Sequence, residues 1–179
     1  STGTLDIIDL SDPSTPVFLS AIDLGPYGAA ANSVAIKNGV VVAAVEDTIK
    51  QQNGKAVFFD AAGNYLNHVE VGALPDMITF SPDGNKVLVA NEGEPNSDYS
   101  IDPVGSVSII DISGGIAGLT QANVTTLDFS AYNNTILDPS IRVYGPNATV
   151  AQDMEPEYIA VSGNSEKAYV TLQENNALG

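Results

Sequence analysis

Apolar and polar residues fall into short runs along this chain, and the runs recur in a fixed order. Leu5-Asp6-Ile7-Ile8-Asp9, Ala56-Val57-Phe58-Phe59-Asp60 and Val107-Ser108-Ile109-Ile110-Asp111 are apolar runs closed by an aspartate. The three aspartates stand 51 residues apart, and Gly3, Gly54 and Gly105 open the same runs at the same spacing. Each run is followed by one in which polar residues alternate with apolar ones: Phe18 to Leu24, Tyr65 to Val71, Val124 to Phe129. That alternation marks a strand with one wet face. A third kind of run ends in a turn: Ser33 to Ile36, Met77 to Phe80, Tyr158 to Val161. The turn after Phe80 is Ser81-Pro82-Asp83-Gly84, which puts Pro and Gly where a tight connection between antiparallel strands needs them. A fourth run follows at once, in Val40 to Val45, Val87 to Ala90 and Ala168 to Leu172.

The pattern predicts an all-β fold, a β-propeller of four-stranded antiparallel blades, with a repeat in the range of roughly 40–50 residues expected of a blade. With the strands named A to D, residues 1–25 supply C and D of one blade, 33–72 a full blade, 77–130 a second full blade with an insert at 93–104, and 158–179 strands A, B and the start of C. Residues 131–157 form a long rim loop of the kind that often carries function. A closed ring takes about four blades or more. The chain, with about three, is therefore expected to be a fragment of a longer propeller, completed by the remaining blades or by a second chain. A start at Ser1 rather than Met is read the same way. A twisted β-sandwich is the other arrangement of such strands, and the regular period argues against it.

Charge narrows the partners. Lys+Arg number 6 against 22 Asp+Glu, a net charge of −16. Nucleic acid and anionic membranes are poor partners for that field, and divalent cations are better ones. The chain has no cysteine and one histidine, which excludes disulfides, thiolate metal sites and a histidine-rich metal centre. No apolar run approaches the ~20 residues of a transmembrane helix.

Antiparallel topology puts the D-to-A and B-to-C loops at one rim. That rim collects Asp76, Glu92, Glu94, Asp98, Asp102, Asp153, Glu155, Glu157 and Glu174, with Glu46 and Asp47. Converging carboxylates repel unless a cation intervenes, and calcium, which takes 6–8 oxygen ligands, suits them. The candidate metal ligands are Asp76, Glu92, Glu94, Asp153, Glu155, Glu157 and Glu174. The alternative is that these are solvated loop acids. Asp9, Asp60 and Asp111 are expected to be strand-end turn acceptors, because they recur in every copy. His68 reads as a surface residue of an outer strand. Tyr99, Tyr144 and Tyr158 are expected to be buried, with lining a ligand groove as the alternative. No Gly-x-Ser-x-Gly elbow occurs. Asn123, Asn133 and Asn147 open glycosylation sequons.

The stretches Val89 to Pro95, Asp98 to Pro103, Gly105 to Asp111, Gln152 to Ile159 and Val170 to Ala177 resemble the choice-of-anchor I propeller family. That family takes in mesenchyme-specific cell-surface glycoproteins and bacterial proteins labelled alkaline-phosphatase-like or phytase-like. The resemblance implies an extracellular, periplasmic or cell-surface propeller of the seven-bladed type, often linked to calcium or mineral, continuing beyond Gly179. In phytase-like propellers, calcium held by rim carboxylates binds substrate phosphate and activates water. Glu92, Glu94, Asp153, Glu155, Glu157 and Glu174 match the acidic motifs. Two functions follow: a calcium-binding module for surface interaction or assembly, or a metal-dependent phosphoesterase. Lys37, Lys50, Lys55, Lys86, Arg142 and Lys167 are scattered, without a basic cluster for phosphate, which weighs against the enzyme.

Overall fold

The computed structural model describes residues 3–179; the first two residues of the 1–25 stretch lie outside that range. Its strands form separate antiparallel sheets in chain order. β1 (Thr4–Asp9) pairs with β2 (Val17–Asp23). β3 (Ala31–Lys37), β4 (Val40–Val45), β5 (Asn53–Asp60) and β6 (Tyr65–Ala73) make a four-stranded sheet. β7 (Pro75–Phe80), β8 (Lys86–Asn91), β9 (Ser106–Asp111) and β10 (Val124–Asp128) make another. β11 (Tyr158–Val161), β12 (Ala168–Leu172) and the short β13 (Ala177–Leu178) make the last.

These sheets stack face to face as propeller blades do. Val42 and Ala44 of β4 pack with Phe58, Val69, Ile78 and Val89 between the second and third sheets. Their neighbours Ala43 and Val45 point the other way, against Leu24, Val57 and Phe59, toward the first sheet. Leu88 and Ala90 of β8 pack with Val107, Ile159 and Val170, joining the third sheet to the fourth. An inner strand buried on both faces has no polar side to show, so β4 and β8 read as unbroken apolar runs. Burying each such Val or Leu side chain stabilises the stack by about 1.5–3 kcal/mol. Among the described residues no core cluster joins the first sheet to the last, so the sheets do not close into a ring.

The recurring glycines mark contacts between neighbouring blades. A Cβ on Gly3 would meet the Ala29 carbonyl at 2.7 Å, one on Gly54 the Pro75 ring at 2.6 Å, and one on Gly105 the Met154 carbonyl at 1.7 Å. In each case the start of one blade's third strand abuts the segment leading into the next blade. The recurring aspartates do another job. Asp9 accepts from Ser11 N (2.8 Å), Asp60 from Ala62 N (2.9 Å) and Asp111 from Ser113 N (2.9 Å), closing the turns after β1, β5 and β9.

Register fixes which residues share an end. Val40 pairs with Asp60 and Lys86 with Asp111, which places the turns at one end, called here the turn end. Pro75 pairs with Asn91, Asn91 with Ser106, and Tyr158 with Thr171, which places the longer connections at the opposite, loop end. At an outer edge, Gln121 mimics a strand. Its amide accepts from Glu70 N and donates to Glu70 O, both at 3.0 Å, and so covers the free edge of β6.

Candidate cation site at the loop end

Each candidate carboxylate follows or precedes a strand at the loop end. Glu92 and Glu94 leave β8, Asp76 is the second residue of β7, Glu157 leads into β11, and Glu174 leaves β12. Asp153 and Glu155 come from the last part of the long loop. There a one-turn helix, α1 (Val150–Asp153), is capped by Thr149, whose hydroxyl accepts from Gln152 N at 3.3 Å. Gly105 N donates to Ala151 O at 3.0 Å, tying this turn to the start of β9.

Each of the seven candidates lies within electrostatic reach of Glu92 or Glu155. Burial, then the charges of Asp76, Glu94, Glu157 and Glu174, push Glu92 up to about 7. Burial, then Glu174, Glu92, Asp153 and Glu94, push Glu155 up to about 8. Burial, then Glu174 and Asp76, raise Glu157, and burial alone raises Asp76. Just outside this set, Asp102 is raised by burial and by Asp153. Positive charge is scarce here: Lys50 reaches Glu94 only at 3.9 Å, between two exposed side chains. Glu155 is 8% exposed, and its carboxylate has no hydrogen-bond or ion-pair partner among the described residues.

Asp153 differs from the rest. Its Oδ1 accepts from Gly145 N at 2.7 Å and its Oδ2 from Tyr144 N at 2.8 Å, so both oxygens hold the loop. Asn175, fully buried, also holds it. Its Oδ1 accepts from Glu155 N at 3.1 Å, and its amide donates to Arg142 O at 3.0 Å and to Asp153 O. Nothing in the sequence pattern singles out Asn175, because its partners lie 20 residues or more away. Asp98 and Asp47 are turn formers, accepting from Ser100 N at 3.1 Å and Ile49 N at 2.9 Å. Glu46 faces Asn32 at 3.4 Å.

The tyrosines expected to be buried are exposed: Tyr99, Tyr144 and Tyr158 all present large parts of their rings to solvent. For Tyr144 the reason is polar contact on both sides. Its hydroxyl donates to Glu174, which raises its pKa together with burial and the nearby carboxylates. The Arg142 guanidinium lies 5.1 Å from its ring centre. His68 is exposed on β6 as expected, sharing a 2.8 Å hydrogen bond with the Tyr65 hydroxyl.

The donor set is all oxygen, uncompensated and partly buried, which fits the chemistry of a hard cation such as calcium. Among the described residues, no three acidic or histidine side chains are placed close enough together to hold a metal ion. A cation would therefore have to draw the carboxylates inward.

The family model of the choice-of-anchor I domain matches residues 1–179. No curated protein matches the chain significantly. Among solved structures, the chain is similar to Kuenenia stuttgartiensis hydrazine synthase at 16% identity and a TM-score of 0.57. The match covers 96% of this chain and 44% of that one. A structure titled as a eukaryotic initiation factor matches at 16% identity and a TM-score of 0.49, over 86% of this chain and 28% of that one. The chain thus spans less than half the length of either. At such identity the likeness bears on fold alone.

Proposed function

The chain belongs to the choice-of-anchor I family, and from that premise we propose that it is a calcium-binding propeller module presented outside the cell for surface interaction or assembly. Family membership supports surface presentation in the coarse sense. No helix in the described residues is long and apolar enough to cross a membrane. The observation that carries the cation reading is Glu155: a residue only 8% exposed, whose carboxylate has no donor among the described residues and is pressed by the charges of other carboxylates. Such a group is costly when charged, and a divalent cation among Glu92, Glu94, Glu155, Glu157, Glu174 and Asp76 would offset that cost.

The test is thermal unfolding with and without calcium chloride. The reading expects the midpoint to rise with calcium by mass action, a chelator to reverse the rise, and Glu155→Gln to abolish it. No calcium-dependent shift at millimolar concentration would sink it.

A metal-dependent phosphoesterase is favoured by one observation. The guanidinium of Arg142 lies 5.1 Å from the ring centre of Tyr144, whose hydroxyl donates to Glu174, and makes no ion pair among the described residues. Its planar donor fork, on the same tyrosine that bonds Glu174, is suited to phosphate oxygens. Bound calcium would supply the Lewis acid for such chemistry. Calcium-dependent release of phosphate from a monoester, lost in both Glu155→Gln and Arg142→Gln, would select this reading. Calcium stabilisation without turnover would select the first.

A further inference from the structure

We propose that Asn175 and Asp153 are positioning residues, a buried clamp that holds Glu155 in the acidic mouth, and that Asp153 is not itself a ligand. The proposal rests on the cation reading above. The clamp joins two segments far apart in sequence. On one side is the turn after β12, where Asn175 N donates to Leu172 O at 3.1 Å. On the other is the long loop, whose Arg142 N donates to Asn175 O at 2.9 Å while Arg142 O accepts from the Asn175 amide at 3.0 Å.

From that anchor the amide of Asn175 reaches Asp153 O, and its carbonyl receives Glu155 N at 3.1 Å. Asp153 then turns its carboxylate back onto Tyr144 N and Gly145 N. The backbone leading into Glu155 is thereby fixed, and its side chain is left with no hydrogen-bond partner among the described residues. Asn175 has no exposed surface, so truncating it leaves Arg142 O, Asp153 O and Glu155 N without these partners inside a buried site. Groups that orient a ligand without touching the cation commonly change affinity by about 10–100-fold when removed.

The test pairs amide hydrogen exchange with calcium chloride titration on Asn175→Ala, Asp153→Asn and Val57→Ala, the last a destabilised control in a distant sheet. Asn175→Ala is expected to lose protection over residues 142–155 and to bind calcium ~10-fold more weakly or worse. Val57→Ala is expected to lose stability and keep its affinity. Asp153→Asn separates the two roles: loss of a ligand leaves the loop protected, whereas loss of a positioning group opens it. Unchanged protection in Asn175→Ala, or weakened calcium binding in Asp153→Asn with the loop still protected, overturns the proposal. Should Asn175→Ala fail to fold, Asp153→Asn decides alone. A wild-type chain that binds no calcium defeats the cation reading, and the exchange data still judge the clamp.

Discussion

At the turn end of the blades, Asp9, Asp60, Asp83 and Asp111 each take hydrogen bonds from serine, asparagine or backbone N–H groups a few residues away, and all are held below the usual carboxylate range. At the loop end, Glu92 and Glu155 have burial and like charges instead of donors, and rise to about 7 and about 8. The same strands connect the two sets. Local turn chemistry stabilises charge at one end, while the packing of successive blades crowds it at the other. An acidic composition therefore says little until each carboxylate is assigned to an end. The turn-end acids are structural, as are Asp47, Asp98 and Asp153 at the loop end, and the other loop-end acids are where a cation could act.

The largest effect is expected from breaking the loop end alone. Gly105→Ala drives a Cβ into the Met154 carbonyl, which is backbone and cannot swing aside. The variant should lose about 2–4 kcal/mol in denaturant unfolding, with exchange protection lost first around residues 150–156 and kept in the turns after β5 and β9. Uniform loss across the blades would contradict a local role.

Next comes Glu155→Gln. A carboxyl raised from its ordinary value to about 8 binds its proton more tightly in the folded chain. Its contribution is fully present below its unfolded value near 4.5 and is lost as pH rises through about 8. Glu155→Gln should therefore be more stable than wild type above pH 8, on the order of 2 kcal/mol with relaxation allowed for. At pH 4 the difference should vanish. An equal effect at both pH values would break the comparison.

The smallest effect is expected at the turn end, with the opposite sign in pH. Asp60 is lowered by Asn64, whose side chain and backbone both donate to it. Its contribution is present above the unfolded carboxylate range and is lost as pH falls through its folded value. Asp60→Asn should lower the unfolding midpoint slightly at pH 7 and have no effect in strong acid. A rise at pH 7 would mean that the turn-end acids are strained as well.

Much of the architecture could be read from the residues because it repeats. The spacing of Gly3, Gly54 and Gly105 and of Asp9, Asp60 and Asp111 reflects two local necessities, a close approach and a turn acceptor, imposed on every copy. The polarised rim was legible too, since antiparallel pairing dictates which loops meet. What does not repeat was not legible. The clamp of Asn175 and the Tyr144–Glu174 bond belong to residues 131–179, where these contacts run between distant segments without periodicity; α1, held by its own Thr149 cap, is too short a helix to show a period. The exposure of Tyr144 escapes the sequence for the same reason: an aromatic ring reads as core until its polar neighbours are known.

The most direct test of the cation account is calorimetric titration of calcium chloride into the intact chain at pH 7.5, in two buffers of different ionisation enthalpy. Glu92 and Glu155 are both partly protonated near that pH, so binding should release protons and the apparent enthalpy should differ between the buffers. Glu155→Gln should lose both the binding and the release. Equal enthalpies in the two buffers, or calcium binding that survives Glu155→Gln unchanged, would contradict the account.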